Sequence, residues 1–191
     1  MSSQKIIILT AASGSGKTSL VHYLLKTFPS HLNFSISCAT RQKRDYEING
    51  KDYYFISVAD FKEKINQTAF VEWEMVYEGK YYGTLKEELQ RSWQENKTPL
   101  LDIDVQGALI IQQQYPQQTL SVFIEPPSIG ELKKRLEARG TETPESVAVR
   151  IAKASDEILF KEKFTTSIVN DNLAVACKEA EELVRNFLAI N

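Results

Sequence analysis

The sequence predicts an α/β fold, a parallel sheet covered by helices and interrupted by one insertion. Three observations lead there. Ile6-Ile7-Ile8-Leu9 is a continuous, mostly β-branched run, the pattern of a strand buried on both faces. Strand-like runs at Leu100–Ile103, Leu120–Ile124 and Ser167–Val169 then alternate with helix-like segments, the order of a parallel sheet with helical crossovers. Residues 35–97 break the alternation with a polar loop, the turn signal Asn49-Gly50, several aromatics and a helix expected near Thr84.

Each element has a local reason. The first strand runs into small residues, Ala11 to Gly16, and then a helix with Leu20, Leu24, Leu25 and Phe28 on one side, stopped by Pro29. Ser128 and Glu131 stand at capping-box spacing, ahead of Leu132 and Leu136 on one helical face. Thr143-Pro144 reads as an N-cap with a first-turn proline, opening a helix towards Phe160. The last helix places Leu173, Ala176, Cys177, Ala180, Leu183, Val184 and Phe187 at helical spacing, so Cys177 is expected in the core.

Composition narrows the function classes. A chain of 191 residues with 42% hydrophobic and 25% charged residues is expected to form one folded domain. Its formal charge of −2 argues against broad electrostatic binding to nucleic acid or an anionic membrane. No apolar stretch approaches the roughly 18 residues of a bilayer span. Met1 to Lys5 leads into the first strand without a signal peptide's apolar region, and the expected compartment is the cytoplasm. Two distant cysteines, Cys38 and Cys177, support neither zinc nor a disulfide framework.

Ala11-Ala12-Ser13-Gly14-Ser15-Gly16-Lys17-Thr18 fits the phosphate-loop pattern G-x-x-x-x-G-K-[ST] except at its first position, where Ala11 replaces Gly. Small residues let successive backbone N–H groups curl around phosphate oxygens, and the following helix turns its positive end towards them. Lys17 can reach the β- and γ-phosphates, and the Thr18 hydroxyl is placed to ligate Mg²⁺. Leu100-Leu101-Asp102 reads as a hydrophobic strand ending in a carboxylate, which makes Asp102 a candidate for water-mediated contact with the same ion.

A phosphate loop identifies a nucleoside triphosphate site, not the acceptor. The insertion adds Ser37, then Thr40-Arg41-Gln42-Lys43-Arg44, then Asn49-Gly50-Lys51-Asp52-Tyr53. Glu72-Trp73, Tyr81-Tyr82-Gly83-Thr84 and Asp102-Ile103-Asp104-Val105-Gln106-Gly107 follow. From about Lys5 to Phe187 this set, in this order, closely resembles the guanylate kinase family, ATP-dependent kinases of GMP. The resemblance implies a P-loop three-layer α/β/α fold with a parallel core sheet, a mixed α+β GMP-binding insertion and a short helical lid. The divisions expected are a core at about 4–34, 98–135 and 149–191, the insertion at 35–97 and the lid at 136–148.

The resemblance also implies site roles. Arg41, Arg44, Tyr53 and Tyr82 would take the acceptor phosphate, and Ser37, Glu72, Thr84 and Asp104 the guanine. The residue types suit this division: guanidinium forks and phenols match a phosphate dianion, and carboxylates accept the guanine N1–H and amine. Adenine has neither donor and would leave a buried carboxylate unpaired. Thr84, three positions before Glu87, also reads as a helix N-cap, while Tyr54, Phe55, Trp73 and Tyr81 read as packing residues. Ala12, Ser13, Gly14, Ser15, Gly16, Lys17, Thr18, Ser19 and Asn170 are implied on the ATP side, Asn170 near the adenine. Arg135-Leu136-Glu137-Ala138-Arg139-Gly140-Thr141 looks like the family's lid, with Arg135, Arg139 and Arg150 as phosphate clamps beside catalytic Lys17.

The implied substrates are ATP and GMP or dGMP, with Mg²⁺, in a monomer or small homo-oligomer. The acceptor phosphate is largely ionised at neutral pH, with a second pKa of about 6, so no general base is required. The only histidines, His22 and His31, have no triad context and are expected to be structural or exposed. The chain departs from the family pattern at Ala11-Ala12 and at Phe164-Thr165-Thr166. Two rival readings are a peptide-binding domain that keeps the fold without efficient catalysis, and a related kinase acting on another phosphorylated acceptor.

Overall fold

In the computed structural model, residues 4–12, 14–138 and 143–190 are described. The core is a five-stranded, all-parallel sheet in the order β2-β7-β1-β8-β9. These strands are β1 (Ile6–Ala11), β2 (Leu32–Phe34), β7 (Thr98–Asp102), β8 (Thr119–Glu125) and β9 (Thr166–Val169). Alternation along β1 serves both faces. Ile7, Leu9 and Ala11 pack with Leu20 and Leu24 of α1 (Lys17–Thr27) and with Ala176, Ala180 and Val184 of α7 (Leu173–Leu188). Ile6 and Ile8 pack oppositely, with Leu89 of α3 (Lys86–Gln94) and Ala108 and Ile111 of α4 (Val105–Gln114). Such a strand has no wet face, which is why its sequence lacks polar alternation. Cys177 is buried, as its helical spacing predicts, and both histidines are exposed.

Between β2 and β7 the chain builds a second sheet, in the order β4-β3-β6-β5. It consists of β3 (Cys38–Ala39), β4 (Tyr54–Phe55), β5 (Phe70–Tyr77) and β6 (Lys80–Leu85). Helix α2 (Val58–Asn66), started by a Ser57–Asp60 capping box, packs Phe61 into it against Phe70, ring centroids 4.4 Å apart. Helix α3 starts at Lys86 with Leu85 as its N-cap and no side-chain capping bond. The expected Thr84 cap is therefore absent, because the Thr84 hydroxyl is engaged by Glu72 instead.

Two helices follow β8. In α5 (Ile129–Ala138) the Glu131 N–H donates to the Ser128 hydroxyl. In α6 (Pro144–Ile158) the Ser146 N–H donates to Thr143, with Pro144 in the first turn. Both starts agree with their sequence signals. Leu132, Leu136, Val147 and Ala154 form a small core that reaches Ala12 of the phosphate loop. The expected Arg139 clamp, with the rest of residues 139–142 of the expected lid, lies outside the described residues.

Candidate active site

The loop joining β1 to α1 opens into a cleft of about 330 Å³, bounded on its other side by the second sheet. Gly16 stands at the N-cap of α1, which has no side-chain cap and no acidic residue in its first turn, so its leading N–H groups remain suited to an anion. Gly16 has φ +89°, and a Cβ there would stand 2.3 Å from the Asn170 amide nitrogen. That amide donates to the Ser15 carbonyl at 2.7 Å. Ala11 ends β1 with no positive φ, so its replacement of glycine carries no backbone penalty. Lys17 Nζ donates to the Ile103 carbonyl at 2.7 Å and lies 2.8 Å from the Asp102 carboxylate. The loop lysine and the strand-end carboxylate thus form one ion pair.

The far wall is polar in two ways. At one end Arg41 makes a fork to Glu47, with both nitrogen–oxygen contacts at 2.6 Å, and lies over the Tyr53 ring at 5.1 Å. Glu47 also accepts the Arg44 backbone N–H at 2.7 Å. The Arg41 fork holds the Glu47 carboxyl below the usual range, against the effect of burial. Burial raises Tyr53, helped by the nearby Asp102 and Tyr82, so its phenol remains protonated as a hydrogen-bond donor.

At the other end, Glu72 and Glu74 of β5 point the same way because side chains repeat every second residue. Glu72 accepts the Thr84 hydroxyl at 2.6 Å, and both residues are buried. Burial pushes Glu72 up to about 7, the Thr84 hydroxyl opposing and Asp104 assisting. Burial raises Glu74 as well, assisted by the neighbouring Asp104 carboxylate. Asp104 caps α4 by accepting the Gly107 N–H at 2.9 Å. Gly107 allows the close approach: a Cβ there would meet Glu72 Oε2 at 2.6 Å.

The cleft gathers Ala12, Gly14, Ser15, Gly16, Lys17, Thr18, Ser19 and Asp102 on its loop side. It gathers Ser37, Arg41, Arg44, Tyr53, Glu72, Tyr82 and Asp104 on the other, with Arg150 contributed by α6. Three expected site residues stand behind the lining. Thr84 is buried beneath Glu72, and Asn170 is 4% exposed beneath the loop. Arg135 donates to the Asn170 carbonyl at 2.9 Å and packs beside Glu131. Ser13 lies outside the described residues. Glu47, Glu74, Lys153 and Glu157 stand in no motif of the sequence; Lys153 and Glu157 line the cleft from α6. Trp73, read as a packing residue, lies 6.2 Å from the Tyr81 ring between centroids on the face of β5 opposite Glu72 and Glu74, and stays 42% exposed.

A phosphate loop and a carboxylate-lined pocket thus face each other across one cleft. The guanylate kinase family model matches residues 3–187. The chain belongs to the guanylate kinase family. Guanylate kinase of Porphyromonas gingivalis is 42% identical over 97% of this chain and 98% of that protein. That of Thermotoga maritima is 38% identical over 95% of this chain and 86% of that protein. The crystal structure of guanylate kinase from Anaplasma phagocytophilum aligns with a TM-score of 0.75 at 26% identity, covering 97% of this chain and 87% of that one. The SH3-kinase fragment of tight junction protein 3 shares the fold alone, with a TM-score of 0.53 at 12% identity over 97% of this chain and 58% of that one. Guanylate kinases transfer the γ-phosphoryl group of ATP to GMP, and this chain is a transferase, a nucleoside monophosphate kinase. No helix among the described residues is long and apolar enough to cross a membrane.

Proposed function

We propose that this chain converts ATP and GMP, or dGMP, to ADP and the corresponding diphosphate within the single cleft, with the two nucleotides entering from opposite sides. The observation that carries the assignment is the buried Glu72–Thr84 pair facing a phosphate loop across that cleft. Ionised Glu72 accepts the guanine N1–H and amine, with Asp104 beside it and Ser37 at the same end. Arg41, Arg44, Tyr53 and Tyr82 bind the acceptor phosphate, and Glu47 keeps the Arg41 fork aimed over Tyr53.

Ala12 to Ser19 cradle the ATP phosphates. Asn170 acts from below by bracing Ser15, and Arg135 braces Asn170. Lys17 and Arg150 stabilise charge on the transferring group, joined by Arg139 from the lid, residues 136–148. Thr18 would hold Mg²⁺ through its hydroxyl and Asp102, paired with Lys17, would act on it through water, both being hard oxygen groups on the loop side of the cleft. Bound there, the ion would neutralise charge on the β- and γ-phosphates. Transfer needs alignment more than proton removal, because the acceptor phosphate already carries its charge. Enclosure by the 35–97 insertion and the lid excludes water and limits ATP hydrolysis. Action in the cytoplasm, as a monomer or small homo-oligomer, completes the reading.

A coupled assay of ADP release with GMP, dGMP, AMP and UMP as acceptors tests it. Release dependent on GMP and dGMP is expected. Equal turnover of AMP and GMP refutes the guanine pocket, and no GMP-dependent release from folded protein favours a non-catalytic binding domain.

A further inference from the structure

Glu88 of α3 is buried, yet it does not line the cleft. Its carboxylate gathers donors from three parts of the chain. Oε2 accepts the Ile36 N–H at 2.9 Å and Arg91 Nη2 at 2.8 Å. Oε1 accepts the Tyr54 hydroxyl at 2.9 Å and Arg91 Nε at 3.3 Å. Arg91 Nη2 donates in addition to the Phe34 carbonyl at 3.0 Å. The pair therefore ties α3 to residues 34–36, where the chain leaves β2 for the second sheet, and to β4.

A buried ion pair is weak evidence for stability, since apolar residues of similar size often serve as well. What it supplies is direction. Ile36 immediately precedes Ser37, and Tyr54 immediately follows Tyr53; Ser37 and Tyr53 both line the cleft. Tyr53, just before β4, lines the cleft, while the Tyr54 hydroxyl reaches Glu88 on α3. The Tyr54 N–H also donates to the Ser37 carbonyl at 2.9 Å, which links the two wall segments directly. Just before α3, Thr84 holds Glu72. One carboxylate thus fixes the backbone behind residues assigned to the guanine and to the acceptor phosphate.

We propose that Glu88 is a positioning residue for the acceptor nucleotide, setting the spacing of Ser37 and Tyr53 through Ile36 and Tyr54. The inference rests on reading that wall as the GMP pocket. It predicts a loss confined to the acceptor, because the phosphate loop shares none of these bonds. In Glu88→Gln the amide nitrogen must face a donor, so one side of the clamp opens. The KM for GMP should rise roughly tenfold, with the KM for ATP within about twofold of the parent and kcat at saturating GMP largely kept. Tyr54→Phe removes a single hydroxyl from the same clamp, with an expected rise of about threefold. In the double variant the Tyr54→Phe effect should shrink, since its partner has already changed.

Steady-state kinetics in both substrates, on protein whose folding is checked by thermal melting, decides the matter. A role in stability alone lowers the melting temperature and leaves the KM for GMP unchanged in folded protein, and that result overturns the proposal. If Glu88→Gln does not fold, Tyr54→Phe decides alone, and an unchanged KM for GMP there overturns it equally. A parent enzyme that does not phosphorylate GMP overturns the pocket reading itself, and this inference with it.

Discussion

Thr84 donates its hydroxyl to Glu72 across 2.6 Å inside a wall where neither residue is appreciably exposed. The bond occupies Oε1, while the neighbouring oxygen approaches Gly107 so closely that any side chain there would collide. A carboxylate held this way is a fixed acceptor for a base that brings its own N–H donors. Glu72→Gln turns part of that acceptor into a donor and opposes the guanine N1–H and amine. The KM for GMP should rise by roughly 10²-fold, with the KM for ATP changed less than about twofold. Equal losses for both nucleotides would place Glu72 in the framework instead of the pocket.

The same residue sets a pH dependence. Burial pushes Glu72 up to about 7 in the free protein, and only its ionised form accepts both guanine donors. kcat/KM for GMP should therefore level off only above about pH 8 and fall as pH drops through 7. The substrate phosphate, with its second pKa of about 6, adds a further decline at lower pH. In Glu72→Gln the limb near 7 should vanish while the one near 6 persists. A profile near 7 that survives the substitution would assign it to another group.

Lys17 reaches both the Ile103 carbonyl and the Asp102 carboxylate, so it is held at the end of β7 where the two halves of the cleft meet. Its role does not depend on which acceptor nucleotide is offered, because the group it faces is the phosphoryl in transfer. Lys17→Ala should lower kcat at least about 10²-fold with GMP or dGMP alike, whereas the KM for GMP moves little. Retained kcat with only a raised KM for ATP would reduce Lys17 to a binding residue.

The parts legible in the sequence are those whose cause is local. Ile6 to Leu9 reads as a strand because every position is apolar, and Thr143-Pro144 reads as a helix start because the cap and its turn are adjacent. Where pairing across the sheet decides, the sequence is silent. Thr10 and Ala11 extend β1 because Phe123 and Ile124 lie beside them, and Leu32–Phe34 is a strand because Thr98 to Leu100 pair with it. Thr84 has the spacing of a cap, but a carboxylate twelve residues away claims its hydroxyl. The site divides likewise. Lys17, Arg41, Glu72 and Asp104 stand in motifs, whereas Glu47, Glu74 and Lys153 acquire meaning only from the neighbours the fold gives them. Resemblance places Asn170 near the adenine, whereas its bond to Ser15 spans 155 positions and is visible only in the fold.

That contact makes a test of the phosphate loop's construction. Gly16 has φ +89°, which costs an L-residue roughly 1 kcal/mol, and a Cβ would also strike the Asn170 amide at 2.3 Å. Gly16→Ala therefore carries two penalties, backbone strain and displacement of the amide that braces Ser15. Asn170→Ala removes the obstruction and the brace together. In that background the alanine at position 16 should cost only its backbone strain, so the double variant should be more stable than the sum of the single effects by about 1–2 kcal/mol. Urea unfolding of the four proteins measures this coupling, and ATP affinity should fall with loop distortion in Gly16→Ala. Strict additivity in both measurements would mean that Gly16 is required for its conformation alone and that Asn170 does not hold the loop from below.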